Sequence, residues 1–158
     1  MEKSTFLTFV LGKELFAVDV VNVLEVLEQQ QITRVPKVPE HIMGIINFRG
    51  EILPVINTRI KFCLPTIDDE SKNYIIVYEL SRKDETYIVS ATADGVEDVI
   101  EIDPAEIKPV PEMGLGFDAK FIAGVIRRDE KFILLLKPER VFSSADSEAV
   151  KLTETLTQ

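Results

Sequence analysis

Two side chains in this sequence could serve as nucleophile and base: Cys63 and His41, its only cysteine and only histidine. A thiolate beside an imidazole can attack a carbonyl, provided the fold brings the two within hydrogen-bond reach. They fall on different predicted elements and neither sits in a motif, so a His/Cys enzyme stands only as an alternative. Asp68-Asp69-Glu70 offers oxygen ligands, but no histidine or cysteine completes a set, and a solvated loop accounts for it. Glu97 and Asp98 are adjacent and would not face one another on a helix or a strand. Gly114-x-Gly116 lacks the third glycine and the strand–helix setting of a phosphate-binding loop. The chain is therefore expected to be no enzyme and to hold no metal or cofactor. The charge that stands out belongs to recognition chemistry: Arg49, set between Phe48 and Gly50, whose planar fork can hold a carboxylate.

Arg49 lies in 44–56, where apolar runs at 45–46 and 52–56 flank a polar stretch containing Gly50. That is the pattern of a β-hairpin whose turn uses the positive φ open to glycine. Before it, 5–11 and 15–18 read as strands around a Gly12 turn, and Asp19 reads as a helix cap. Val20, Val23, Leu24 and Leu27 follow at helical spacing and predict a helix, although valine disfavours one. A short strand at 32–35 and a helical turn at 39–44 lead into the hairpin. Asn57 can cap a further turn through Phe62, and 63–73 reads as an exposed connection. Strands are expected again at 74–80 and 86–93.

The second half repeats the first. The stretches 19–36 and 94–111 share their internal spacing: Ile32 answers to Ile107, Val35 to Val110, and the prolines coincide. Gly44-Ile45-Ile46 answers to Gly124-Val125-Ile126, and 52–56 to 132–136. Two β-rich units of about 60 to 70 residues fit small barrels, which leave no exposed edges. The predicted fold is all-β, two packed five-stranded barrels with two or three short helices. The first covers about 4–62 and the second about 73–142, within a domain at 4–143; a polar tail, frayed or partly helical, takes 144–158. The copy is also a control. Its turn is Arg127-Arg128-Asp129-Glu130-Lys131, so the hairpin needs only charge there. In the aligned frame Ile100 takes the place of Glu25 and Asp129 that of Arg49. Acid and base are both missing from the copy, as the members of a couple would be, which predicts that Arg49 holds Glu25 with its guanidinium fork.

Net charge of −9 argues against nucleic acid and anionic membrane as partners. A lone cysteine fits a reducing compartment, no apolar run approaches a membrane span of about 20 residues, and Met1-Glu2-Lys3-Ser4 does not open a signal peptide. A cytoplasmic protein without membrane insertion is expected. A barrel binding a small ligand is a further alternative, but units this small leave little room for a cavity.

Gly44-x-x-Asn47-x-Arg49-Gly50 followed by Leu53-Pro54-Val55-Ile56 resembles the signature of the CheW chemotaxis coupling family. Val23-x-Glu25-Val26, Asp94-Gly95-Val96 and Phe121-Ile122-Ala123-Gly124 also stand where that family has them, and the resemblance covers 5–142. It implies tandem SH3-like five-stranded barrels without catalysis. It further implies an adaptor bridging the cytoplasmic tips of chemoreceptors (methyl-accepting chemotaxis proteins) and the regulatory domain of the histidine kinase CheA, recruited to membrane-associated receptor arrays. Carried over residue by residue, receptor contact would involve Val23, Glu25, Gly44, Arg49, Gly50 and Val99 along a groove between the barrels. Kinase contact would involve Lys108 and Met113. Val23 and Val99 also read as core and the glycines as turn residues; Arg49 is the residue whose surroundings favour contact. Asn57 and Lys137 stand where the family often has a capping acid. Asparagine caps as well, whereas lysine does not, which leaves the turn at 138–142 without a side-chain cap.

Overall fold

The computed structural model describes residues 3–28, 30–64, 74–110 and 119–148. Ten strands follow in order: β1 Ser4–Leu11, β2 Glu14–Asp19, β3 Val23–Glu28, β4 Ile42–Phe48, β5 Glu51–Ile56, β6 Tyr74–Arg82, β7 Glu85–Ala93, β8 Gly95–Ile102, β9 Ile122–Arg128 and β10 Lys131–Leu136. The helices are single turns, α1 Thr58–Lys61 and α2 Pro138–Val141, and residues 144–148 are helical as well.

The strands form two five-stranded sheets, ordered β3-β6-β7-β5-β4 and β8-β1-β2-β10-β9. The orders correspond strand for strand, and each contains one parallel pair, β5 with β7 and β10 with β2. The duplication is therefore real, and β4–β5 and β9–β10 are equivalent hairpins. The assignment of one barrel to each half is corrected: each half lends its opening hairpin to the other half's sheet. β1–β2 joins β8, β9 and β10, while β6–β7 joins β3, β4 and β5. A hairpin from either repeat satisfies the same pairing pattern, so the choice of sheet rests on the connections and on what lies behind the strands.

What lies behind them is the largest apolar cluster. It is built from Leu7, Phe9, Phe16 and Val18 of the first exchanged hairpin and Ile76, Tyr78, Leu80 and Val89 of the second, with Ile56, Phe62, Leu134 and Phe142 beside them. Alternate residues of the same strands turn into the individual sheets. Ile75 and Val77 join Ile46, Phe48, Leu53 and Val55 in one, and Ala17 joins Ile102, Ile126, Ile133 and Leu135 in the other. The exchanged strands are thus buried on both faces, which explains their nearly continuous apolar runs.

Segment 20–27 is not a helix. Asp19 does cap, accepting from Val21 N, but it caps a single 3-10 turn at Val20–Asn22 and the chain then extends into β3. A register shift between Val23 and Glu25 breaks the two-residue alternation. Val23 and Val26 reach the central cluster, while Leu24 and Leu27 reach the core of their own sheet. Two apolar faces and a bulge together imitate helical spacing. At 39–42 there is one turn, Ile42 N donating to Pro39 O, instead of a helix, and the expected strand at 32–35 is reduced to the bridge of Thr33 with Ile45. Asn57 caps α1 through Arg59 N and Ile60 N, whereas Lys137 makes no cap bond ahead of α2.

Candidate functional site

The β4–β5 turn has positive φ at both central residues, 52° at Arg49 and 84° at Gly50, the two-residue type that suits the twist of a hairpin. Asn47 Oδ1 accepts from Gly50 N at 3.1 Å, which gives the asparagine of the motif its place. The left-handed backbone does not by itself mark Arg49. Lys83, Asp84, Asp129 and Glu130 adopt it in the β6–β7 and β9–β10 turns as well.

Arg49's side chain does set it apart. Its guanidinium carbon lies 4.7 Å from the centroid of the Phe48 ring, which is itself buried in the sheet core. From there Nη2 donates to Glu25 Oε2 at 3.3 Å. The two residues predicted to meet do meet, but the expected fork is corrected to this one long contact. Arg49 extends from a turn and its side chain is 65% exposed against 42% for Glu25, so water competes for the remaining donors. β3 and β4 are the two ends of their sheet's strand order, and the pair links β3 to the tip beyond β4, as the curl of a barrel requires.

The other carried-over residues are dispersed. Val23 is half-buried in β3 at the margin of the central cluster. Val99 is 62% exposed on β8, in the other sheet, paired with Leu7. Gly44 is buried: an added Cβ would stand 2.3 Å from Thr33 O, so its service is to let the 32–33 segment cross β4 closely. Gly50 is exposed with open space around it and serves the turn. Lys108 is exposed, its backbone bridged to Val125 in both directions. Met113 lies outside the described residues.

Sequence reasoning missed several exposed apolar side chains: Val20 and Val21 ahead of β3, and Ile52 and Phe132 on β5 and β10. Ile52 and Phe132 occupy aligned positions of the repeat, a signal the sequence did hold. It also missed a polar cluster. Asp146, expected within a polar tail, is 5% exposed and accepts from His41 Nε2 at 2.7 Å, Lys61 Nζ at 3.1 Å and Ser143 N at 2.9 Å. Burial pushes the Asp146 carboxyl up, but the donors from Ser143, His41 and Lys61 outweigh it and hold its pKa below the usual aspartate value. A carboxyl with a lower pKa folded than unfolded stabilises the fold above the ordinary range near pH 4 and loses that effect as pH falls through the folded value. Urea melts should therefore separate Asp146→Asn from the parent most widely at neutral pH, with the gap narrowing below about pH 4. A gap independent of pH would mean that the ionised carboxylate is not what holds the segment. His41 is engaged in this cluster and Cys63 is exposed beyond α1. Among the described residues no group of side chains could hold a metal, and no helix is long and apolar enough to cross a membrane.

Comparison with known proteins follows the same outline. The CheW-like domain family matches residues 5–146. The chemotaxis protein CheW of Klebsiella aerogenes is 30% identical over 141 residues, covering 89% of this chain and 82% of that one. The protein of that name from Bacillus subtilis is 31% identical, covering 87% and 85%. Protein FrzA of Myxococcus xanthus is 29% identical over 92% of this chain and 89% of its own. Among solved structures, the scaffolding protein TtCheW of Thermoanaerobacter tengcongensis superposes with a TM-score of 0.78 at 31% identity, over 95% of this chain and 94% of that one.

Proposed function

The chain belongs to the CheW-like domain family, and from that premise we propose that it is a non-catalytic adaptor coupling chemoreceptors to a CheA-type histidine kinase in chemotaxis signalling. The observation that carries the reading is the exposed Arg49–Glu25 pair at the β4–β5 tip, whose places in the other sheet are taken by Asp129 and Ile100. A pair this exposed contributes only about 0–1 kcal/mol to stability, so folding alone gives little reason for it. Both sheet interiors are filled with side chains, which weighs against a small-ligand barrel. His41 bonds Asp146, and among the described residues no hydrogen bond joins it to Cys63, which weighs against a His/Cys couple.

The receptor-facing surface in this reading comprises Val23, Glu25, Gly44, Arg49, Gly50 and Val99, with Gly44 acting through the backbone path. The kinase-facing surface comprises Lys108 and Met113. Recruitment to membrane-associated arrays follows from binding the receptors' cytoplasmic tips. In a reconstituted mixture the chain should turn over no substrate and should change kinase output only when receptors are present. An equal effect on the kinase alone would overturn coupling as the mechanism.

Arg49→Ala and Glu25→Ala should each weaken receptor coupling with little change in melting temperature. A double-mutant cycle separates the possibilities: non-additive losses mean that the pair acts together, and additive ones that Arg49 meets the partner alone. Lys108→Glu should weaken kinase binding and leave receptor binding intact, because the backbone bridge to Val125 does not need that side chain. Equal loss of both would assign Lys108 to a shared surface.

A further inference from the structure

A cleft of about 590 Å³ opens beside the β4–β5 tip, with Gly50 in its lining but not Val23, Val99 or Lys108. The first residues of β5 form one wall, the β6–β7 hairpin forms its floor, and the helical turn at 144–148 closes the far side. Glu51, Glu79, Glu85 and Glu148 line it from four different elements, with Ile52, Leu53, Tyr87 and Ile88 between them, and no basic side chain joins the lining. None of these four carboxylates enters an ion pair among the described residues. Arg82 and Lys83 line the smaller cleft next to it, where Glu85 and Tyr87 recur.

We propose that this cleft is a docking surface for a cationic amphipathic segment of a partner protein. The apolar strip offers Ile52, 49% exposed, to an aliphatic side chain, and the acids on either side leave lysine or arginine as the charges that can flank it. An anionic segment would be repelled from both walls. The cleft is preformed, because its movable wall is fastened: Asp146 ties the 144–148 turn to His41 and Lys61, and Tyr87 Oη donates to Phe142 O at 2.7 Å. Little ordering is then left to oppose binding.

The cleft shares Gly50 alone with the receptor-facing surface of the coupling reading, and its test uses neither kinase nor receptor, so the two can fail separately. The probe is a short helical peptide of lysine and leucine, titrated into the isotopically labelled full chain, with a glutamate–leucine peptide as counterpart. Amide shifts should concentrate at 50–53, 85–88 and 144–148, and the counterpart should give none. Glu79→Lys combined with Glu85→Lys should lower affinity about tenfold or more, since both side chains are exposed and the fold does not need them. Glu97→Lys combined with Asp98→Lys makes the same charge change on β8 and should leave affinity within about twofold. An equal loss in the β8 pair, or shifts spread over the surface, would reduce the effect to attraction by an acidic protein and overturn the proposal.

Discussion

Gly44→Ala should cost the fold about 3 kcal/mol, the upper end of what overpacking a filled site costs, and lower the melting temperature by about 6–12 °C. The added methyl would stand 2.3 Å from Thr33 O and 2.8 Å from Ile32 Cγ2. Thr33 cannot step aside freely, because it exchanges two backbone hydrogen bonds with Ile45, at 2.9 and 2.8 Å. Relief therefore means lifting the segment off β4 and losing those bonds. The equivalent Gly124 supplies the comparison. There the nearest atom is Ile107 Cγ2 at 2.6 Å, a side-chain methyl instead of backbone, and the carbonyl of Lys108 stands back at 3.0 Å. Gly124→Ala should cost roughly half as much. Thermal melts of the two variants decide the matter, and equal losses would mean that backbone rigidity is not the cause. A coupling defect in Gly44→Ala would then count as a defect of the fold rather than of a contact.

The second large effect is expected at Asp94. Its carboxylate accepts from Arg59 Nε at 3.0 Å, from Arg59 Nη2, and from Gly12 N at 2.6 Å, with the ion pair 13% and 18% exposed. Asp94 N donates to Val10 O. One residue at the start of β8 thus fastens the β1–β2 turn and α1 together. Removing it takes a part-buried carboxylate away from the Arg59 guanidinium and the Gly12 amide at once, so Asp94→Ala should lose about 3 kcal/mol. The Arg49–Glu25 pair, of like chemistry but exposed, should lose less than a third of that. If the two pairs cost the same, burial is not what sets their value.

Much of this was legible in the chain. The β4–β5 hairpin, the Asn57 cap, the duplication and the partnership of Arg49 with Glu25 all rest on local patterns or on comparing two copies. The fork was not legible, because a single contact at 3.3 Å depends on how far an exposed side chain can settle against water. The strand at 23–28 was hidden by its bulge and its two apolar faces. Asp146 was hidden by distance: its histidine partner is 105 positions away, and the composition around it is that of a solvated tail. The exchange of hairpins was hidden for a different reason. Two repeats with one pattern offer two pairings, and only the buried face shared by β1, β2, β6 and β7 distinguishes them.

That exchange has a consequence during synthesis. The β1–β2 hairpin leaves the ribosome first, yet its neighbours β8 and β10 are encoded far downstream; Thr8 bonds Asp98 across 90 positions. At a usual elongation rate the hairpin waits on the order of ten seconds before its sheet exists. Throughout that interval both of its faces and both of its edges are bare, and contacts this distant in sequence form slowly even once the chain is complete. β6–β7 faces no such delay, because β3, β4 and β5 are already made when it appears. The order of synthesis therefore favours forming the β3-β6-β7-β5-β4 sheet first, with the β1–β2 hairpin joining the other sheet last. On a crowded message, the β8–β10 acceptor of a neighbouring nascent chain competes for that same waiting hairpin.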